Sequence, residues 1–324
     1  MEYTTLGNTG MTVSRICLGC MSFGDPGWRE WVLDEEEGKE LVERALELGI
    51  NFFDTANMYS NGESERILGE ALEGHREEAV VATKGYFRMD ESNPNSGGLS
   101  RKALEQELEN SLDRLGMETV DLYQIHRLDP ETPIEETLRV LDDAVRRGKV
   151  RHLGASSMWA HEFAEALHAS DRLGLDRFAT MQNHYNLVYR EEEREMLPLC
   201  EREGIGVIPW SPLARGYLTR PDDDVDATRR GETEEHLYRH PYREGGGPAV
   251  NARVAELADE KGVKMAQIAL AWQFHKEPVD APIVGTTSVE HLEDAVEALE
   301  IDLSDSDIEW LEEPYEPVRV SGHD

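Results

Sequence analysis

Leu18-Gly19-Cys20-Met21-Ser22-Phe23-Gly24 closes the first apolar run of the chain. A doubly wound dinucleotide-binding sheet carries G-x-G-x-x-G at this point, which lets the backbone approach a pyrophosphate, and the stretch lacks that spacing. Outward from it, short apolar runs recur at Ile16–Cys20, Asn51–Asp54, Ala79–Lys84, Val120–His126, Val150–Ser156, Phe178–Asn183, Gly206–Trp210 and Ala281–Gly285. Such runs read as strands buried on both faces of a parallel sheet. Eight of them alternating with helical segments predict an α/β fold, a (β/α)8 TIM barrel in one domain spanning 1–324.

The helical segments carry start and stop signals. Asp34-Glu35-Glu36-Glu37 puts negative charge at a helix start, Leu41, Val42, Ala45 and Leu46 form its apolar stripe, and Gly49 ends it. Thr132-Pro133-Ile134-Glu135 reads as a capping box with proline at the first helical position. Ser100 reads as the cap of a helix bearing Leu104, Leu108, Leu112 and Leu115. Two decorations are expected: an N-terminal hairpin turning at Gly7-Asn8-Thr9-Gly10, and a long insertion after the seventh strand, Ser211 to Ala249, suited to a lid.

The 324 residues hold 67 acidic and 33 basic side chains, a formal net charge of −34. That field opposes phosphate backbones and anionic bilayers, so neither nucleic acid nor membrane is an expected partner. Only seven of the basic residues are lysine and the acids are spread along the chain, the composition of a solvated acidic shell and of a halophile. No apolar run approaches a membrane span and the first residues do not read as a signal peptide, so a cytoplasmic location is expected. Cys17 and Cys20 form a C-x-x-C, but in an apolar run and without a second Cys/His pair, so packing is the expected role rather than metal or disulfide chemistry.

Barrel enzymes work at the C-terminal ends of their strands. Asp54, Lys84 and His126 end the second, third and fourth runs, and Tyr59 follows in the loop after Asp54. Together they suit proton delivery. A phenol is a poor acid at neutral pH unless a cation favours its anion; Lys84 would be that cation, Asp54 would hold it, and His126 would donate to a substrate oxygen or relay its proton.

These residues and the segments around them resemble the aldo-keto reductase superfamily. The likeness runs through Leu6-Gly7-x-x-Gly10, Gly49-Ile50-Asn51-Phe52-Phe53-Asp54-Thr55-Ala56 with Tyr59 and Gly62, Val81-Ala82-Thr83-Lys84, His126, Gly154-Ala155-Ser156 and Trp210-Ser211-Pro212-Leu213. It leans toward the branch of potassium channel β-subunits and bacterial general-stress reductases. The resemblance implies an NAD(P)H-dependent oxidoreductase that interconverts a small-molecule aldehyde or ketone and an alcohol, with no metal. It makes Asp54, Tyr59, Lys84 and His126 a catalytic tetrad with Tyr59 as general acid. The alternative it leaves open is a nucleotide-sensing subunit with little turnover.

By the same resemblance, Ser156 and Gln182 would hold the carboxamide of the cofactor and Trp210 would stack on its nicotinamide. Ser211, Leu213, Arg215 and Gly216 would close on the pyrophosphate, and Gly285, Thr286, Thr287, His291 and Asp294 would line the adenosine end. Ser157, Met158 and Ala295 depart from the family pattern, and no Lys or Arg lies between Ile283 and Glu300. Arg229 or Arg230 in the insertion would then supply the charge for a 2′-phosphate. NADPH is the expected cofactor, with NADH as its alternative; substrate and oligomeric state are not legible.

Overall fold

The computed structural model describes residues 1–222 and 242–323. Eight parallel strands form one sheet: β3 (Cys17–Gly19), β4 (Phe52–Asp54), β5 (Val80–Gly85), β6 (Val120–Ile125), β7 (Val150–Ser156), β8 (Phe178–Gln182), β9 (Gly206–Val207) and β10 (Ile283–Gly285). Their order is β10-β3-β4-β5-β6-β7-β8-β9, so every neighbour except β10 follows its predecessor in sequence. The two edges meet: Asp280 N donates to Val207 O (2.9 Å) and Ile283 N to Pro209 O (2.9 Å). With no edge left unpaired the sheet is a closed cylinder, the expected (β/α)8 barrel. Each strand falls on one of the eight apolar runs, β5 passing the end of its run by one residue, Gly85.

A hairpin of β1 (Tyr3–Thr5) and β2 (Thr12–Ser14) covers the N-terminal end of the barrel. Leu6 and Val13 pack with Cys17, Phe52, Val80, Ala82, Leu122 and Ile208 to form an apolar floor. Gly7 sits at φ +49, and a Cβ there would strike the backbone of Gly206, so only glycine fits the turn this close to the barrel. Cys17 and Cys20 are buried free thiols, consistent with packing.

The period-two alternation of each strand sorts the rest. Leu18, Phe53, Val81 and Tyr123 point outward into the layer shared with the helices. Phe52, Ala82 and Leu122 point inward, so two residues further on the inward positions fall to Asp54, Lys84 and Gln124. An apolar floor under a polar mouth follows from strand parity alone.

The helices around the barrel are α1 (Glu35–Glu47), α2 (Glu63–Ala71), α3 (Arg101–Leu115), α4 (Ile134–Arg146), α5 (Ala160–Leu173), α6 (Met196–Glu203), α7 (Gly247–Lys261), α8 (Met265–Phe274), α9 (Val289–Glu297) and α10 (Asp305–Glu312), counted among the described residues. Asp34 caps α1 in a capping box with Glu37, and Ser100 caps α3 by accepting from Ala103 N. The capping box read at Thr132 is corrected. Pro133 occupies the cap position of α4, and its ring offers no oxygen to the first-turn N–H groups; Thr132 stands one residue outside the cap, its hydroxyl donating to Asp129 Oδ2 at 2.7 Å. Of the insertion, 223–241 lie outside the described residues, and with them Arg229 and Arg230.

Candidate active site

Lys84 is fully buried at the mouth, and each of its three ammonium protons has an acceptor. Nζ donates to Asp54 Oδ2 at 2.6 Å, to Thr55 O at 2.7 Å and to the Tyr59 hydroxyl at 3.3 Å. The other carboxylate oxygen, Asp54 Oδ1, accepts from Gln124 Nε2 and Gln182 Nε2, both at 2.9 Å. A buried ion pair is stable only when its remaining hydrogen-bonding capacity is met in this way. The Tyr59 ring also lies 4.8 Å from Lys84 Nζ and stands edge-on to His126 at 5.9 Å between centroids. All four expected catalytic residues converge.

The loop that delivers Tyr59 is backbone-strained. Ser60, Asn61 and Gly62 follow one another at φ 47, 54 and 96, a left-handed turn that side chains disfavour and that gathers at functional sites.

The electrostatics correct one expectation. Burial pushes the Tyr59 phenol above its ordinary value; Lys84 pulls it back only in part. Burial alone would lower Lys84, but Asp54 and Tyr59 carry it above its ordinary value. Tyr59 and Lys84 therefore both rest protonated, and the ammonium does not create a phenolate in the free protein. His126 is held well below its ordinary value by burial, then by Lys84 and Arg127, so it is a neutral hydrogen-bonding group and not a relay for a full positive charge. Its Nδ1 has no partner among the described residues, and Phe87 stands edge-on to the imidazole at 4.8 Å between centroids.

The expected nicotinamide contacts are also linked. Ser156 Oγ lies 3.1 Å from Ser157 Oγ, which accepts from Trp210 Nε1 at 3.1 Å, and Ser157 N donates to Gln182 O at 3.1 Å. Ser157, at φ 50, thus occupies the junction that the departure from the family pattern had left unassigned. Trp210 lies flat on His184 at 4.1 Å and 8°, and His184 lies on Tyr189 at 4.1 Å and 13°. Next to Gln182, Asn183 is buried, and neither amide atom has a partner among the described residues. A strand end with an orphaned amide beside serine hydroxyls and an indole face suits a carboxamide-bearing ring.

Past Trp210, Ser211, Ala214, Arg215 and Gly216 take positive φ of 54, 48, 56 and 97, turning the chain back around Leu213. At the far end, Gly285, Thr286 and Thr287 lead into α9, with Ser22 Oγ donating to Thr286 O at 2.7 Å. His291 is exposed, and Ala295 is buried against the core. Asp294 Oδ2 accepts from Lys264 Nζ at 2.7 Å, and Glu290 from the same amine at 2.8 Å. This lysine is not legible in the sequence because it reaches α9 from the start of α8, 26 and 30 residues before the carboxylates it meets. Sequence reading also missed Gln124, which a period-two count back from His126 would have found.

A parallel barrel with a buried Asp–Lys pair against a tyrosine and a neutral histidine, and with no Gly-rich phosphate loop after its first strand, defines a barrel oxidoreductase. The Aldo/keto reductase family model matches residues 15–316, and the chain belongs to that family. It is 43% identical to an aldo-keto reductase of Alternaria alternata over 99% of this chain and 93% of that protein. It is 43% identical to the versiconal hemiacetal acetate reductase of Aspergillus parasiticus, over 99% and 98%. A Schizosaccharomyces pombe protein provisionally named an aryl-alcohol dehydrogenase is 44% identical, over 99% and 97%. The protein is an enzyme that interconverts a carbonyl and an alcohol, in a family that uses NAD(P)H. No helix among the described residues is long and apolar enough to cross a membrane.

Proposed function

We propose that Tyr59 is the general acid of an NADPH-dependent reduction of an aldehyde or ketone, with Asp54, Lys84 and His126 as its partners. The observation that carries this is the ammonium of Lys84, saturated by Asp54 Oδ2, Thr55 O and the Tyr59 hydroxyl. When bound, the dinucleotide supplies the hydride. Tyr59 donates its proton to the carbonyl oxygen; the phenolate left behind meets Lys84 at the moment it forms, which is where electrostatic stabilisation counts most. Neutral His126 hydrogen-bonds the carbonyl oxygen and fixes its direction. Gln124 and Gln182, donating to Asp54 Oδ1, keep the carboxylate aimed at Lys84.

Ser156, Gln182, Trp210, Ser211, Leu213, Arg215, Gly216, Gly285, Thr286, Thr287, His291 and Asp294 are the proposed cofactor residues, joined by Ser157 and Asn183. Trp210 would present its free face to the nicotinamide, with His184 fixing the other. The preference for NADPH rests on the resemblance to the channel-subunit branch, where an arginine of the insertion does this work; here that is Arg229 or Arg230. The fungal relatives named as reductases and as an aryl-alcohol dehydrogenase favour turnover over nucleotide sensing, and aromatic aldehydes as first substrates to try.

The charge of −34 further supports a salt-adapted cytoplasmic enzyme. A panel of carbonyl compounds, assayed with NADPH and NADH at low and multimolar KCl, tests the whole reading. Turnover with NADPH that survives or rises in high salt is expected; a clear NADH preference overturns the cofactor choice, and inactivation by salt overturns the adaptation.

A further inference from the structure

We propose that Arg127 anchors a carboxylate carried by the substrate, so that the preferred substrates are aldehydes or ketones bearing an acidic group; this rests on the reductase reading above. Arg127 follows His126 directly and stands half-buried at the mouth. Among the described residues its one hydrogen bond runs from Nη1 to His126 O at 2.7 Å, which pins the guanidinium beside the histidine and leaves most of its donor fork unspent.

Many arginines of this chain do meet carboxylates. Arg66 pairs with Glu35, Glu63 and Glu70, Arg114 with Glu65 and Glu107, and Arg190 with Glu193 and Glu312. With acidic residues outnumbering basic ones about two to one (67 against 33), a carboxylate is the easiest partner for an arginine to find. Yet among the described residues none pairs with Arg127. The groups facing it that can bear negative charge are the hydroxyls of Tyr59 and Tyr86. Burial works against its charge with no anion to compensate, a state that a bound anion would relieve.

The position excludes the cofactor phosphates. In the closed ring β6 lies directly across the barrel from β10, four strands away in either direction. The loops proposed to carry the pyrophosphate and adenosine follow β9 and β10, whereas Arg127 follows β6 beside the carbonyl-orienting His126. An anion held there belongs to the substrate. A planar guanidinium fork matches the two oxygens of a carboxylate.

The experiment compares kcat/KM for para-carboxybenzaldehyde and benzaldehyde, at fixed salt, in the wild type, Arg127→Lys and Arg127→Met. The wild type should favour the carboxylated aldehyde by about tenfold or more, as a charge-assisted pair in a partly desolvated site gives. The ratio should fall to one or below in Arg127→Met and lie between in Arg127→Lys, whichever way the absolute rates move. A wild-type ratio near or below one overturns the proposal. So does an unchanged ratio in both variants, which is what a purely structural bond to His126 O would give. Failure of the wild type to reduce either aldehyde with NADPH or NADH would overturn the reductase reading, and this inference with it.

Discussion

Lys84 Nζ stands 3.3 Å from the Tyr59 hydroxyl but 2.6 Å from Asp54 Oδ2, so the ammonium is held by the carboxylate and only leans on the phenol. That asymmetry suits a general acid. A tighter grip on Tyr59 would favour the phenolate before substrate arrives, whereas the observed spacing leaves the proton in place and the charge ready for the anion.

Removing the ammonium should destabilise the fold. Lys84→Met leaves Asp54 buried opposite an apolar chain, and breaking a buried pair in this way costs about 3–5 kcal/mol. Guanidinium unfolding of Lys84→Met, Asp54→Asn and the double variant checks it. The double variant should be more stable than Lys84→Met, since no unpaired charge is left; a double variant whose losses merely add would contradict the coupling.

The pH dependence of the reaction follows from the direction of the Tyr59 shift. Its pKa is raised, so the proton needed for reduction is present throughout the neutral range and is lost only above the ordinary phenol value near 10. The kcat for reduction should be level between about pH 6 and pH 9, while alcohol oxidation, which needs the phenolate, should rise across the same range. A reduction limb falling with a midpoint near 7 would contradict this.

Stability should depend on pH through His126. Burial depresses its folded value, whereas the unfolded imidazole takes a proton near pH 6.5. Below that pH the unfolded state holds the extra proton, so stability falls as pH falls, by up to about 1.4 kcal/mol per pH unit for one group. Comparing the unfolding free energies of the wild type and His126→Asn between about pH 7.5 and 5.5 isolates this contribution, cancelling opposite contributions such as that of Asp280, which burial raises to about 6. The wild type should lose more stability than the variant; parallel losses would contradict the assignment.

The stack behind Trp210 should act on cofactor binding. Aromatic stacking contributes about 0.5–1.5 kcal/mol beyond burial, so His184→Ala should weaken cofactor binding several-fold, read by quenching of tryptophan fluorescence. An unchanged Kd would show that Trp210 needs no support from His184.

Much of this was legible in the sequence. The eight strands announce themselves as apolar runs, and Asp54, Lys84 and His126 close three of them because an inward position above an apolar floor is where a barrel turns polar. What was not legible depends on packing between distant elements. Thr132 spends its hydroxyl on Asp129, Lys264 crosses from α8 to Asp294, and the plane of Trp210 is set by His184 and Tyr189. The resting state of Tyr59 is of the same kind. A nearby lysine can be guessed from spacing, but the burial that outweighs it is a property of the folded mouth.

Tyr59→Phe, assayed for carbonyl reduction and titrated with NADPH side by side, is the most direct measurement, because it removes one hydroxyl and leaves the ring against Lys84 and His126. The proposed chemistry requires a loss of about 10²–10⁴ in kcat, the contribution typical of a positioned acid, with NADPH affinity kept within a few-fold. Reduction at the wild-type rate in that variant would show that the proton comes from elsewhere.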